Sequence, residues 1–231
     1  MNRIFLVRHG ESEGNVDQAR YKVKGDHKIE LTERGRRQAH AAGQFLADYY
    51  SSSRLGVPGS VRLWTSPYTR ARQTSAGIVN ALEEHGSLDL LRDKPGDKFT
   101  TYWRENIRLA EQQFGLLNGI ASESVADHYP DVHDEYQRAG KFYARPPGGE
   151  SRYDVAIRVH QMFGTLHRDS DRHGIKDVIV VCHGVTMRAF VMEWLHLPVE
   201  WFLSEPNPTN CSIRLIHGGI DQGYIYPGGT P

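Results

Sequence analysis

Short apolar runs separated by amphipathic stretches extend along most of the chain. Residues 4–8 and 176–184 contain nearly continuous apolar runs, which are typical of strands buried on both faces. Residues 61–66 and 211–217 alternate instead, and we predict a strand for each of them. Strands that alternate with helices predict an α/β fold with three layers: a mostly parallel sheet with helices on both of its faces.

The stretches between these runs have the spacing of helices that pack on a sheet. Residues 32–50 bring a set of apolar side chains to one face, and Thr32 suits the N-cap. That set is Ala39, Ala42, Phe45 and Leu46. The other predicted helices are 67–84, a helix from Ser151 or Asp154 to about 171, and 185–195.

The remaining stretches are predicted as loops or short elements. Gly and Pro interrupt the pattern at 51–60, 92–106 and 145–151 and in the C-terminal tail, and short elements are expected near 107–110 and 122–143. No linker or repeat divides the chain. We therefore expect one domain, 1–231.

Charge and composition narrow the classes of function. Lys and Arg total 28 and Asp and Glu also total 28, so no overall charge favours nucleic acid or an anionic membrane as a partner. No apolar run approaches the roughly 20 residues of a spanning helix, and no secretory signal is present. Two cysteines do not make a disulfide framework. We expect a soluble, cytoplasmic protein.

Polar residues suited to phosphate chemistry directly follow the apolar runs. Arg8 and His9 end the first run, and His183 follows the run at 176–184 in the order strand, His, Gly, helix. Arg70 lies near the start of the helix after the second strand. Because ligands of such sheets bind beyond the carboxyl ends of the strands, these side chains are predicted to share one crevice.

The residue types suit phosphoryl transfer through a covalent intermediate. A neutral imidazole is a good nucleophile, and the guanidinium fork matches phosphate oxygens and stabilises their charge. Nearby arginines also lower the pKa of a histidine, which keeps the attacking nitrogen free. Gly10 and Gly184 are expected to let the backbone approach the phosphate. The leaving alkoxide requires a proton donor.

The segment LVRHGESEGN at 6–15 resembles the signature of the histidine phosphatase superfamily, also called phosphoglycerate mutase-like. Five further segments are similar to later motifs of that family and occur in the family's order. They are LTERGRRQA, SPYTRARQTS, RLAEQQFGLLNG, PPGGES and VIVVCHGVTMR. The resemblance spans residues 4 to about 190 and implies the phosphoglycerate mutase-like fold.

The resemblance also implies a role for each matching residue. His9 is the expected phosphorylated nucleophile, Glu111 is the expected proton donor, and Arg8, Arg70 and His183 complete the catalytic phosphate pocket. The residues expected to bind phosphate or substrate are Arg8, Asn15, Arg70, His183 and the backbone of Gly184. The family uses no metal or organic cofactor for this chemistry. Glu105 is close in sequence to Glu111 and stays an alternative acid.

Two segments depart from the family pattern. Residues 20–30 form a basic loop where the family has a short Gln-Gly type of loop, and the insertion at 92–106 is long. Both are expected to border the pocket and to bear on substrate identity. The charge of Lys22 and Lys24 suggests a second anionic group on the ligand, although a solvated loop explains it equally well.

Two further features of the sequence bear on a different chemistry. Cys182 and Arg188 form a Cys-x5-Arg pattern between a strand and a helix, which cysteine-dependent phosphatases use, although Cys182 also suits a small buried position. The twelve histidines raise the question of a metal. Because no HExxH or Cys/His cluster is present, we expect none.

The leading hypothesis is a phosphatase that acts on a small phosphorylated substrate. The runner-up is a mutase of the phosphoglycerate mutase type, and a phosphate-binding protein without turnover is a third reading. Mutases of the family carry a further basic motif that we do not find between Gly119 and Arg145, which favours the phosphatase. Arg138, Lys141 and Arg145 stay candidates for a carboxylate anchor. The sequence leaves the oligomeric state open and is compatible with a homo-oligomer.

Overall fold

The computed structural model describes residues 1–52, 57, 59–93 and 102–231, and within them one six-stranded sheet lies between layers of helices. The strands are β1 Arg3–Arg8, β2 Val61–Thr65, β3 Arg104–Glu105, β4 Asp177–Cys182, β5 Ile213–His217 and β6 Ile220–Tyr226. The helices are α1 Glu13–Val16, α2 Arg20–Val23, α3 Glu33–Ser52, α4 Thr69–Glu84, α5 Val125–His128, α6 Pro130–Tyr143, α7 Arg152–His173, α8 Gly184–Trp194 and α9 Val199–Ser204. Single 3-10 turns occur at Asp26–Lys28, Leu88–Leu90, Ile107–Leu109, Gly115–Leu117 and Ser122–Ser124.

The sheet is mostly parallel, as the sequence predicts. Its strand order is β3-β2-β4-β1-β5-β6, and the pairs β3/β2, β2/β4 and β4/β1 are parallel. β5 runs antiparallel to β1 and to β6, so the antiparallel pairs lie at one edge. The parallel strands β1, β2 and β4 therefore end together at one side of the molecule.

Alternating side chains of the central strands build a core on each face of the sheet. Ile4 and Leu6 of β1 pack in the cluster that includes residues of α7 and α8. Phe5 and Val7 of the same strand pack in the cluster formed with α3 and α4. Successive strand residues point to opposite faces, so one apolar run supplies both cores. The predicted three-layer architecture is confirmed.

Polar caps begin the two longest helices. The hydroxyl of Thr32 accepts the N–H of Gly35 at 3.0 Å, which places Thr32 at the predicted N-cap of α3. At α7 the Ser151 hydroxyl accepts the N–H of Asp154, and the Asp154 carboxylate accepts the N–H of Ser151. The two residues that the sequence offered as alternative helix starts thus form one capping box.

The sequence prediction missed several elements of the described residues, among them α1, α2, β3, α9 and β6. β3 lies inside the stretch 92–106, which was predicted as a loop, and residues 94–101 of that stretch lie outside the described residues. α9 is absent from the prediction, and β6 lies in the C-terminal tail, whose Gly and Pro residues favour a loop. β6 forms a hairpin with β5 through Gly218 and Gly219, which have φ of 58° and 79°. A two-residue β3 and the mostly polar β6 depend on their partner strands rather than on their own pattern.

A buried ionic network joins β2, β3 and the C-terminal half of α7. Arg62 of β2 is 1% exposed and forms ion pairs with Asp93 and Asp169. Arg104 of β3 pairs with the same two carboxylates, at 3.0 Å to Asp93 and 3.2 Å to Asp169. Each carboxylate therefore faces two guanidinium groups, which offsets the cost of removing the charges from water.

No helix among the described ranges has the length and apolar character needed to cross a membrane.

Asp169→Ala should lower the free energy of unfolding by about 3 kcal/mol, because it leaves Arg62 and Arg104 with only one carboxylate between them. Chemical denaturation followed by circular dichroism measures this loss. The control is Asp171→Ala, an exposed position on the same helix, for which we expect a change within about 0.5 kcal/mol. Equal small effects for both variants would contradict the ascribed role of the network.

Candidate active site

Strand register places the two predicted catalytic histidines side by side. β1 and β4 pair in parallel with Arg8 opposite Cys182, so His9 and His183 are the next residues of two neighbouring strands. The N–H of His9 donates to the carbonyl of Cys182 at 3.0 Å, and the imidazole ring centroids are 5.1 Å apart. Both side chains are buried. Of the side chains predicted to share one crevice, Arg8, His9 and Arg70 line one cavity at the carboxyl edge of the sheet, whereas His183 is fully buried beside His9.

The environment of His9 selects one tautomer and one charge state. Nδ1 lies 2.7 Å from the carbonyl oxygen of Gly10, and a carbonyl only accepts, so Nδ1 carries the proton and Nε2 keeps its lone pair. Burial lowers the pKa of His9 well below its usual value, and the nearby charges of Arg70 and Arg8 lower that pKa further. A neutral imidazole with a free Nε2 has the form required of a nucleophile.

His9 borders a cavity of about 340 Å³ that also contains two arginines. Arg70 lies in the first turn of α4 and donates through Nη1 to the backbone and the carboxylate of Asp26, each at 2.7 Å. Arg8 donates to the carbonyl of Pro208. The Nε atoms of both arginines are buried, and no partner for either exists among the described residues. These charged donors suit an anion at His9.

His183 is fully buried beside His9, as the N-cap residue of α8. Its Nε2 lies 2.8 Å from the hydroxyl of Ser66, the residue that follows β2. Nδ1 is buried and has no partner within the described part of the chain. Burial lowers the pKa of His183 well below its usual value, and Arg70 lowers it further, so its ring is neutral. A neutral His183 ring adds no further positive charge beside His9.

The carboxylate of Glu111 lies against the N-terminus of α8. Its oxygens accept the N–H groups of Val185 and Thr186, each at 3.2 Å, and the side chain borders the cavity of His9. Glu105, the alternative acid, pairs instead with Arg72 at 2.5 Å on the surface and does not border that cavity. Of the two acids, Glu111 is the one that the fold brings to the histidines.

Asn15 borders the cavity from the segment that follows β1. Its Oδ1 accepts the N–H of Ser12 at 3.1 Å and the side-chain amide of Asn210 at 3.2 Å. Because these bonds use the amide oxygen, the Asn15 NH₂ group remains as the donor on the cavity side. This arrangement fits the predicted contact with a phosphoryl group or substrate.

The two glycines predicted to approach a phosphate make close contacts within the protein. A Cβ on Gly10 would lie 2.4 Å from the carbonyl oxygen of Gly35, and one on Gly184 would lie 2.1 Å from Oδ1 of Asn207. The absence of a side chain therefore serves the packing of the loops around the site. Phosphate binding by the Gly184 backbone stays a prediction.

The basic loop at 20–30 borders the site as expected, but through different residues. Tyr21 and Asp26 line the cavity. The Nζ of Lys24 pairs with Glu13 and Glu30, each at 3.0 Å, so its charge is already neutralised. None of the described residues of the insertion 92–106 lines the cavity.

Sequence reasoning missed three residues that position the site: Asp26, Gly35 and Ser66. Gly35 had a local signal, because glycine in the first turn of a helix costs stability and indicates a close backbone approach. A Cβ on Gly35 would lie 2.0 Å from the carbonyl oxygen of Glu11. Asp26 and Ser66 had no such signal, because their partners are remote in sequence.

The structure does not support Cys182 as an alternative nucleophile. Its side chain is fully buried at the end of β4, and this burial raises the pKa of the thiol far above its usual value. Arg188, the other residue of the pattern, donates to the carbonyls of Gly184 and Glu205 at 3.4 and 3.2 Å. A neutral, enclosed thiol is a small packing residue.

Comparisons with known proteins agree with this geometry. The sequence model described as the histidine phosphatase superfamily (branch 1) matches residues 4–225. The chain is 35% identical over 229 residues to the phosphoglycerate mutase-like protein AT74 of Arabidopsis thaliana, over 96% of this chain and 66% of that protein. It is 30% identical over 201 residues to a 2,3-bisphosphoglycerate-dependent phosphoglycerate mutase of Gloeobacter violaceus, over 87% of this chain and 78% of that protein. A solved structure of a mycobacterial glucosyl-3-phosphoglycerate phosphatase superposes with a TM-score of 0.66 at 26% identity, over 93% and 89% of the two chains.

The His9 imidazole should stay neutral when the pH is lowered from 8 through the usual histidine pKa of about 6.5. NMR of protein labelled at histidine measures this titration, and the His9→Ala spectrum identifies the signal. Arg70→Met should raise the pKa of His9, because it removes a nearby positive charge. The fold favours neutral His9, so its protonation opposes folding and contributes to a loss of stability as the pH falls below about 6.5. A His9 signal that titrates near 6.5 in the wild type would contradict the described environment.

Proposed function

Because the chain belongs to the histidine phosphatase superfamily, we propose that it is a phosphatase that hydrolyses a phosphomonoester through a phosphohistidine at His9. The observation that carries the proposal is the hydrogen bond from Nδ1 of His9 to Gly10, which leaves Nε2 free in a cavity that Arg8 and the buried Arg70 also line. We also propose that residues 1–231 form one domain, since the strands of the single sheet span residues 3–226.

In the first step, Nε2 of His9 attacks the phosphorus atom, and the bond from phosphorus to the ester oxygen breaks. The leaving oxygen takes a proton from Glu111, which borders the same cavity. The imidazole gains positive charge as the bond to phosphorus forms. The Gly10 carbonyl, 2.7 Å from Nδ1, stabilises that charge by accepting the N–H.

In the second step, water attacks the phosphohistidine and gives up a proton to the Glu111 carboxylate. The bond from phosphorus to Nε2 breaks, and its electron pair returns to His9. The products are inorganic phosphate and the neutral histidine. Glu111 is again protonated, so the site is ready for another turnover.

Four groups support the transferring phosphoryl group in this proposal. Arg8 and Arg70 supply charged donors whose Nε atoms are buried without a partner among the described residues. The Asn15 amide supplies a neutral donor, and Nδ1 of His183, which has no partner in the described part of the chain, donates when Nε2 accepts the Ser66 hydroxyl. Such donors stabilise charge on the equatorial oxygens without reorganising during the reaction.

The charge of the catalytic cavity favours hydrolysis over the mutase reaction. Among the described residues its lining has the cations Arg8 and Arg70, the acids Asp26 and Glu111, and no lysine. Asp26 already pairs with Arg70. A mutase has to retain a bisphosphorylated intermediate, and a lining with two cations and two acids leaves little positive charge to hold a second phosphoryl group. Relatives named as mutases keep that reaction as the alternative to test.

Wild type should release inorganic phosphate from phosphomonoesters, and His9→Ala should release none, because the nucleophile is absent. Phosphorus NMR measures the products from an aryl phosphate and from 3-phosphoglycerate with a trace of 2,3-bisphosphoglycerate. A 2-phosphoglycerate signal with little inorganic phosphate would establish the mutase reaction instead. Binding of phosphate without either product would indicate a binding protein without turnover.

Glu111→Gln should lower kcat/KM for an alkyl phosphate by roughly 10²–10⁴, because the poor leaving group then departs without a proton. The same variant should affect 4-nitrophenyl phosphate much less, since its leaving group needs little protonation. Glu105→Gln is the matched control, because Glu105 is the neighbouring acid outside the cavity. Steady-state kinetics on both substrates measures these ratios, and a loss confined to Glu105→Gln would overturn the assignment of the acid.

A further inference from the structure

A second cavity, of about 300 Å³, adjoins the catalytic cavity. Phe114, Leu117 and Ile120 line both cavities, so the same apolar side chains form the boundary between them. The far side of the second cavity comes from α6 and from the first residue of α7. A molecule whose phosphoryl group lies at His9 can therefore extend over this boundary without leaving the protein surface.

The wall of the second cavity suits an apolar body. Val125 and the half-buried Tyr136 add to the three shared apolar residues. Burial raises the pKa of Tyr136, so its phenol stays neutral and adds aromatic surface without charge. Apolar and aromatic walls with a few convergent polar groups are typical of sites for small molecules.

Two cations lie at the far side of this cavity, Lys141 and Arg152. Arg152 is half-buried, its guanidinium lies 5.6 Å from the centre of the Phe202 ring, and it pairs with no carboxylate among the described residues. Arg145 and Arg138, by contrast, pair with Asp154 and Glu135. A guanidinium that is partly removed from water without an anion is costly unless a ligand supplies one.

We propose that the second cavity binds the leaving group of the substrate, and that this group has an apolar, aromatic-sized body that ends in an anionic group held by Arg152 and Lys141. The inference rests on the proposed function, because it assumes that the phosphoryl group lies at His9. Lys141 is one of the three residues that the sequence offered as a carboxylate anchor, whereas Arg152 was not among them. Binding energy from this remote contact favours extended substrates over compact ones.

The test compares three aryl phosphates that share one reacting group. They are phenyl phosphate, 3-(4-phosphonooxyphenyl)propanoate and the methyl ester of that acid. Homologues with one or two additional methylene groups between the ring and the carboxylate cover other spacings. Arg152→Met removes the charge and keeps much of the apolar stem. Arg138→Met is the matched control, because Arg138 lies on α6 outside the second cavity.

Wild type should prefer the carboxylate substrate of the best spacing over its methyl ester. Arg152→Met should reduce that preference in kcat/KM about tenfold, the size expected for one charge-assisted contact of about 1.4 kcal/mol. Phenyl phosphate, which has no anionic group on its ring, is the reference substrate, and Arg138→Met should hydrolyse it as wild type does. An unchanged preference in Arg152→Met, or no preference in wild type at any spacing, would overturn the inference while leaving the phosphatase intact.

A failure of the proposed function gives a different result, because no phosphate would then be released from phenyl phosphate. In that case calorimetry with the benzylphosphonate analogues of the acid and of its methyl ester measures binding in place of turnover. A carboxylate-dependent affinity that Arg152→Met lowers and Arg138→Met preserves would still support the second cavity. Equal affinities for the acid and the ester would overturn it.

Discussion

The parallel pairing of β1 with β4 is the constraint on which the rest of the site depends. Its register sets Arg8 opposite Cys182, and the hydrogen bond from the His9 N–H to the Cys182 carbonyl extends the pairing by one residue. A shift by one residue would reverse the faces of all the strand's side chains and would separate the two histidines. The apolar residues of β1, which fill both cores, therefore hold the catalytic geometry as well as the fold.

Burial and charge act in the same direction at the histidines. Both imidazoles are enclosed, and both lie near Arg70, so burial and repulsion each favour the neutral ring. The arginines stay charged in this environment, because the guanidinium group is a very weak acid. Asp26 pairs with Arg70 at the edge of the cavity. The result is a site that keeps a neutral imidazole beside two cations, the combination that the proposed phosphoryl transfer to nitrogen requires.

The segments outside the sheet form the walls of both cavities. Residues 20–30 bring Asp26 to Arg70, and the segment around Phe114 and Leu117 separates the catalytic cavity from the second one. Short helices with a few apolar contacts provide these walls, whereas the long helices on the sheet provide stability. Changes in these walls can therefore alter the ligand without disturbing His9, since the histidine depends on strand pairing.

The sequence by itself determined the strands β1, β2, β4 and β5, the helices α3, α4, α7 and α8, and the three layers, because strong apolar periodicity encodes each of these, and its local motifs named the residues that we propose to react. It missed β3 and β6, whose patterns are weak and whose hydrogen bonds come from neighbouring strands. Only the tertiary structure places Glu111 rather than Glu105 at the catalytic cavity and encloses the Cys182 thiol in the core. It also pairs Asp26 with Arg70 and leaves Arg152 beside a second cavity. Each of these outcomes depends on contacts between residues that are distant in the chain or on the enclosure they create, and a local pattern contains no information about either.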